Sequence, residues 1–465
     1  MSKNLVYDIH EKPPFGKLLI FAAQQLLAII AATIAVPALV GHGMSASAAL
    51  LGAGLGTLVY QLFTKFRSPV FLGSSFAFIG SMSAAFGGAL SGGVASERLG
   101  YLGILLGALF GGLVYVVIAI LVKFVGVGWI KKLMPPVVIG PTVALIGLSL
   151  ADDAVRDMFS YGPTVEGTGE YIMEPKIWIS LLCALITLFV VILCSTYGKK
   201  MIKLVPFIIG ILSGYAAALI LTGIGHAAGV EALQVIDFAP FTDLVANGVT
   251  FETFLSVPDF AFIKAFEGFQ DFEWSYLATV AAAYVPVAFV VFAEHIADHK
   301  NLSTVIEEDL LEKPGLHRTL LGDGVGSIVG AFFGGCPNTT YGESVGCIAI
   351  TRNASVVTIT TTAIMAILIS FVSPFVAFLD SIPGCVMGGV CVTLYGFIAV
   401  SGLKMIRKVD LDDHANLFTV SVILITGIGA MAMKIGEVVI TATACALVLG
   451  IIVNIVLNAF KKKEK

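Results

Sequence analysis

Pro337-Asn338-Thr339-Thr340-Tyr341-Gly342-Glu343 is the stretch on which the architecture of this chain turns. It interrupts a strongly apolar region, and it is too short and too polar to cross a bilayer as one helix. It opens on proline, runs through residues that favour extended backbone, and reaches Gly342-Glu343, where a helix can start. An earlier segment has the same plan: Pro69-Val-Phe-Leu-Gly73-Ser74-Ser75-Phe76-Ala77-Phe78. A second pair also matches, Met134-Pro135-Pro136-Val-Val-Ile-Gly140 beside Ile382-Pro383-Gly384-Cys-Val-Met-Gly388. The chain therefore reads as a duplicated unit.

What surrounds these stretches is membrane-like. The apolar share is 57% and the charged share only 12%, about half the usual charge content of soluble domains. The net charge of −4 and the scattered basic residues do not suggest nucleic-acid binding. The seven cysteines all sit in apolar segments without C-x-x-C spacing, so they read as small buried hydrophobes rather than metal ligands. Residues 1–16 are polar and contain Pro13 and Pro14. The apolar run that follows is too long for a signal peptide and reads as a first membrane span.

Segments long enough to cross about 30 Å of hydrocarbon occur at 17–40, 47–64, 101–125, 129–151, 177–195, 204–223, 275–297, 319–334, 354–379, 383–403, 416–433 and 437–460. Adding the broken pieces at 70–88 and 338–351 gives fourteen crossings, seven per half. Basic residues test the count, because they concentrate on the cytoplasmic side. With the N-terminus inside, fourteen crossings leave only Arg98, Arg156, Lys176, Lys264 and Lys434 outside, of 27 Lys and Arg in all. Dropping one broken segment misplaces every loop after it. Both termini are thus expected in the cytoplasm of a multi-pass protein of the cytoplasmic membrane. Since seven is odd, the second half must insert upside down. The fold expected is all-α, with fourteen transmembrane segments in two inverted seven-span repeats.

Interrupted helices at equivalent places in inverted repeats are the best sequence pointer to a transporter's binding site. Unpaired backbone survives at that depth only against protein or a cavity. Each half-helix start offers free N–H groups and partial positive charge. Two proline kinks are the plainer reading, but both interruptions coincide with the densest polar residues in the membrane. Few ionisable residues join them. Glu294 and His295 lie late in the eighth span, Asp298 and His299 nearer its mouth, Asp323 early in the ninth, and Glu343 at the break of the tenth. A carboxylate there costs several kcal/mol unless it is paired, protonated or facing water. Glu294 and Glu343 are therefore candidates for substrate hydrogen bonding and proton coupling. A helix cap for Glu343 and an interhelical hydrogen bond for Glu294 are the alternatives. Nucleophile elbows, H-E-x-x-H and Walker loops are all missing from the sequence, so no enzyme activity and no catalytic residues are expected.

Four motifs together resemble the nucleobase–cation symporter 2 (nucleobase–ascorbate transporter) family, its bacterial uracil-type members above all. They are Leu72-Gly-Ser-Ser-Phe-Ala-Phe78, Phe292-Ala-Glu-His295, Pro314-Gly-Leu-His-Arg318, and Pro337-Asn-Thr-Thr-Tyr-Gly-Glu343 running on to Ala349-Ile-Thr-Arg352. The resemblance implies a strand-like piece plus half-helix in spans 3 and 10. It also implies a core domain (1–126 and 274–380), a gate domain (127–223 and 381–465) and an extracytoplasmic loop at 224–273. By the same resemblance the activity is proton-coupled import of a nucleobase, uracil, with no cofactor beyond the proton gradient, no metal, and a homodimer in the bilayer. Carried over by position, Glu294 and Glu343 hydrogen-bond the ring. Backbone N–H groups at Phe76 and Gly342 meet its carbonyls. Ser75 and Tyr341 line the pocket, and Tyr395 faces it from the gate. Proton coupling would fall to Glu294, Glu343, Asp298 or His295.

Three positions depart from the family pattern. Gln24-Gln25 stands where many members have Gln-His, Ser344 replaces an Asn, and Asp298 replaces a second His one turn after Glu294. A purine (xanthine or urate) permease of the same family is the alternative, and an anion transporter of the same fold a further one. Glu343 and Ala293-Glu294-His295 favour uracil over purines.

Overall fold

A computed structural model describes residues 5–91, 96–126, 129, 134–165, 168–199, 201–246, 248–435 and 438–461. Part of the basic-residue count, at Lys3, Lys131, Lys132, Lys200, Lys462, Lys463 and Lys465, lies outside these residues. The chain is mostly helical. Its first part comprises α1 (Phe15–Val40), α2 (Ala46–Phe63), strand β1 (Leu72–Ser74), α3 (Ile79–Ser91) and α4 (Glu97–Val125). Then come α5 (Pro136–Ser149), α6 (Ala151–Met158), α7 (Pro175–Tyr197) and α8 (Pro206–Ala228). After a long connection follow α9 (Trp274–Ile306), α10 (Leu316–Gly334), β2 (Asn338–Thr340), α11 (Gly342–Thr351), α12 (Val356–Ile369) and α13 (Ser373–Asp380). The chain closes with α14 (Gly384–Ile406), α15 (His414–Ile428), a β3 (Met433–Ile435) and β4 (Val438–Ile440) hairpin, and α16 (Ala442–Lys461).

Among the described residues, nine helices are long and apolar enough to cross a membrane, and three apolar helices are shorter. Their ends follow local chemistry. Ser45 and Ser96 cap α2 and α4 by accepting the N–H of Ala48 and Leu99, while Gly41 and Gly126 end α1 and α4 at positive φ. Proline opens α5, α7 and α8 in their first turn, where its missing N–H costs nothing.

The helices pack in two sets. α10 lies on α2 and α4, α9 on α3 and α4, and α12 on α1 and α2. Separately, α14 lies on α5, α6 and α7, α8 on α7, and α15 on α5 and α16. The first set is held by a stripe of small residues not singled out in the sequence. Gly322, Gly326, Gly330 and Gly334 recur every fourth residue on α10, the spacing that lets membrane helices approach closely. A Cβ at Gly56 of α2 would lie 2.7 Å from the Gly326 carbonyl oxygen, and one at Gly330 would collide with the Asn338 side chain. Gly330→Val should therefore strain this contact by about 1–3 kcal/mol and lower the yield of folded protein in the membrane. Gly16→Ala, where the added atom meets nothing within 4 Å, should stay within about 0.5 kcal/mol of the parent. Thermal unfolding of the purified variants checks both.

The structure shifts several boundaries. The segment expected to span at 354–379 is broken into α12 and α13, with Pro374 in the first turn of the second piece. The spans expected at 416–433 and 437–460 are trimmed by the β3–β4 hairpin, whose Val438, Val439 and Ile440 favour strand. The described residues before α1 are tied to the rest of the fold. Val6 N–H donates to the Arg352 carbonyl (2.8 Å), Ala354 N–H to Tyr7 (2.9 Å) and Val356 N–H to Ile9 (3.0 Å), and Ile9 is buried. This tail fastens the connection that follows α11.

Candidate functional site

The two interrupted stretches meet. β1 and β2 pair antiparallel, with Leu72 opposite Thr340, Gly73 opposite Thr339 and Ser74 opposite Asn338. Each strand leads into a helix start, a single 3-10 turn at Phe76–Phe78 before α3 and α11 on the other side. Because the strands are antiparallel, the helices leave the pair in opposite directions. The crossing is pinned from all sides. Asn338 Nδ2 donates to the Gly52 carbonyl (2.9 Å), and Thr57 Oγ1 accepts from Leu72 N–H (2.9 Å) and donates to Leu72 O (3.1 Å). Tyr341 O–H donates to Ser74 O (2.7 Å). Gly73 has no room for a side chain, because the Tyr341 ring covers it.

A cavity of about 380 Å³ opens at this crossing, within the roughly 300–1,000 Å³ typical of small-molecule sites. Its walls are Ser75, Phe76 and Ala77 from one half-helix start, Thr339 to Glu343 from the other, Glu294, Ala297, Asp298 and Asn301 from α9, and Val143, Ile146, Phe207, Leu394 and Phe397 opposite. Six of the seven residues expected at a substrate site are in this wall: Ser75, Phe76, Glu294, Tyr341, Gly342 and Glu343. Tyr395 is behind it, its ring edge-on to Phe76 with centroids 6.0 Å apart. Glu294 and Asp298 sit one helical turn apart on the same face of α9. Thr340 Oγ1 donates to Asp298 Oδ2 (2.7 Å). Glu343 lies in the first turn of α11, where the helix dipole favours negative charge. The first N–H groups of both half-helices lack intrahelical acceptors, and the Ser75 hydroxyl is buried with no protein partner. One chamber thus presents three carboxyl groups, two helix N-termini, an orphaned hydroxyl and an aromatic face.

His295 is not in this chamber. It projects from a different side of α9, about 100° round the helix from Glu294, where Nδ1 is 2.6 Å from Asp323 Oδ2 and Nε2 is 2.9 Å from Thr319 Oγ1. His299 stacks on it with centroids 4.0 Å apart and makes a 2.7 Å contact through Nε2 to the Tyr60 hydroxyl. His295, His299, Asp323 and Tyr60 are all fully buried. His299 Nδ1 faces the His295 carbonyl at 2.8 Å, and a carbonyl only accepts. His299 therefore carries its proton on Nδ1. Two departures from the family pattern turn out to be partners: Gln25 Nε2 donates to Ser344 Oγ at 2.5 Å. Asn338, Thr340 and the His295–Asp323 pair were not assigned roles from sequence. The polarity of Asn338 and Thr340 within a span was the available signal, whereas the pairing partners are distant in the chain.

The chamber continues into a second cavity of about 870 Å³, sharing Ala297, Asn301, Ser401 and Met405 and bordered by Lys300, Lys404 and Lys408. Phe76 also borders a small separate pocket of about 20 Å³, lined by Gly80, Ser81, Ser149, Thr441 and Thr443 among others. The larger opening described from the chamber is thus the one beside Lys300, Lys404 and Lys408.

Broken helices around a polar chamber inside a multi-pass membrane bundle are the arrangement of a secondary transporter. Comparisons with known proteins agree. A family model described as the permease family (Xan_ur_permease) matches residues 16–436. Uracil permease of Bacillus caldolyticus is 39% identical over 97% of this chain and 94% of its own length. Uracil permease of Bacillus subtilis is 36% identical over 100% and 98%, and that of Escherichia coli K12 33% over 95% and 92%. The chain belongs to this permease family; it is a multi-pass membrane transporter of the nucleobase class and not an enzyme. Among solved structures, the transmembrane domain of a cyanobacterial bicarbonate transporter, BicA, superposes with TM-score 0.64 at 14% identity, covering 97% of this chain and 99% of that one. Murine Slc26a9 gives TM-score 0.62 at 12% identity over 97% and 69%. At that identity the likeness is one of fold alone.

Proposed function

We propose that this protein is a proton-coupled symporter that imports uracil across the cytoplasmic membrane by alternating access. The observation that carries the reading is the chamber itself, in which Glu294, Asp298 and Glu343 face two half-helix N-termini. Uracil's edge alternates C=O and N–H groups. Carboxylates accept the ring N–H hydrogens, while the backbone N–H groups at Phe76 and Gly342 donate to the carbonyls. Phe76, backed by Tyr395, supplies a flat apolar flank. The names of the relatives support the same substrate.

In this reading the chain crosses the membrane fourteen times as two inverted seven-span repeats, with both termini cytoplasmic. Residues 1–126 and 274–380 form a core, 127–223 and 381–465 a gate, and 224–273 an external loop. The two packing sets support that division. The cavity bordered by Lys300, Lys404 and Lys408 is then the cytoplasmic vestibule, since basic residues gather on that side, and the conformation faces inward. Glu294, Glu343 and Asp298 are the groups placed to exchange a proton with substrate or vestibule. His295 acts through its pairing with Asp323 behind them. The working unit is a homodimer, and no metal or organic cofactor takes part.

The solved neighbours transport anions by their titles. Three carboxyl groups in one chamber repel an anion, which sets this site apart from theirs. Uptake of radiolabelled uracil by cells lacking their own permease tests the proposal. Uracil should accumulate, a proton uncoupler should abolish accumulation, and unlabelled xanthine or urate should compete poorly. Competition by xanthine but not by uracil assigns a purine substrate instead, and accumulation indifferent to the uncoupler removes the proton.

A further inference from the structure

We infer that the segment from Phe260 to Trp274 is not a water-borne loop but a membrane anchor, seated in the headgroup layer of the bilayer the helices span. Within it, a short helix at Ala261–Glu267 has three faces. Ala261 and Ala265 are buried, and the adjoining Gly268 abuts the backbone of Arg98 and Leu99 at the start of α4. A polar side is tied down locally: Lys264 Nζ is 2.5 Å from Asp259 Oδ2 and 3.3 Å from the Gly43 carbonyl, and Glu267 Oε2 is 3.1 Å from Arg98 Nε. The third face is apolar and uncovered. Ile263, Phe266 and Phe269, three residues apart, are each 51–53% exposed, and Trp274 is 79% exposed.

Lipid rather than a protein partner is the occupant, because this face is continuous with a membrane span. Rings run in contact from Phe266 to Phe269 (6.3 Å), Phe269 to Phe272 (6.3 Å) and Phe272 to Trp274 (5.6 Å). Trp274 is the first residue of α9, itself apolar and long enough to cross a bilayer. The segment also rests against helix ends that share one level: the α1–α2 connection at Gly43, the start of α4 and, through Phe262 and Phe332 (4.8 Å, stacked), the end of α10. That level is the edge of the hydrocarbon, where tryptophan and other amphipathic aromatics concentrate. A polar face clamped to helix ends and an apolar face turned outward is the geometry of an interfacial helix.

Tryptophan fluorescence in proteoliposomes tests this without reference to substrate. The chain has three tryptophans. Trp129→Phe with Trp178→Phe leaves Trp274 alone, and adding Trp274→Phe with Phe266→Trp or Phe269→Trp moves the probe along the segment. The expected result is blue-shifted emission, quenching by lipids brominated near the headgroup severalfold stronger than by lipids brominated at the chain end, and several-fold weaker quenching by aqueous acrylamide than for free tryptophan. Strong acrylamide quenching without bromine quenching would place the segment in water. Protection from both quenchers would place a protein, such as a second copy, on this face. Either result overturns the inference.

Discussion

Glu294→Gln cuts uracil uptake by about 10- to 100-fold while leaving the amount of protein in the membrane unchanged, and Glu343→Gln does the same. The magnitude follows from losing a hydrogen bond to a charged acceptor, about 1.5–3 kcal/mol, at about 1.4 kcal/mol per tenfold. Folding is spared because both side chains face a cavity rather than a packed neighbour, and glutamine keeps their shape. Uptake of labelled uracil by variants matched for membrane level reads the effect. Exchange of labelled for unlabelled uracil separates two roles. A variant that loses net accumulation but still exchanges has lost coupling, and one that loses both has lost the substrate contact. A Glu294→Gln protein that imports at the parent rate removes Glu294 from the site.

The second large effect falls on Asp323. Its Oδ2 lies 2.6 Å from His295 Nδ1, both residues fully buried. Asp323→Ala leaves His295 Nδ1 without its partner in a site that excludes water. Removing one member of a buried charged or strongly hydrogen-bonded pair costs about 3–5 kcal/mol, so the purified variant should melt well below the parent. Replacing both members by apolar residues of similar volume, Asp323→Leu with His295→Phe, should recover most of that stability. Transport should not return with it if the pair sets the rotation of α9 and so the aim of Glu294 and Asp298. A double variant that is stable and imports uracil normally would reduce the pair to a packing element. Asp323 was visible in the sequence as a charge inside a span. Its partner was not, because His295 and Asp323 are joined only once α9 lies beside α10.

The same limit governs the rest of the site. Glu294 and Glu343 were legible as candidates because ionisable groups are costly in hydrocarbon and stand out one residue at a time, whereas Phe76 and Gly342 were named through the family resemblance at the two chain breaks. Tyr395 was expected at the pocket, yet it takes a place behind Phe76. Asp298 was expected nearer the mouth of its span and instead shares the chamber, since residues four apart on a helix face the same way. Gln25 and Ser344 each looked like a lost interaction when compared singly with the family pattern. Their side chains meet, a compensation that spans 319 residues and has no local trace.

By itself the sequence determined that the chain is a multi-pass membrane transporter with its polar residues gathered at two interrupted segments, because burial in lipid penalises charge and unpaired backbone wherever they occur. It did not determine that those two segments pair. Strand register between Leu72–Ser74 and Asn338–Thr340 depends on Thr57 and Gly52 arriving from α2 to satisfy Leu72 and Asn338, and on Tyr341 reaching across the pair to Ser74. Only the tertiary structure could decide that the two interrupted segments are walls of one chamber, since backbone hydrogen bonds missing within a segment must be found across the fold.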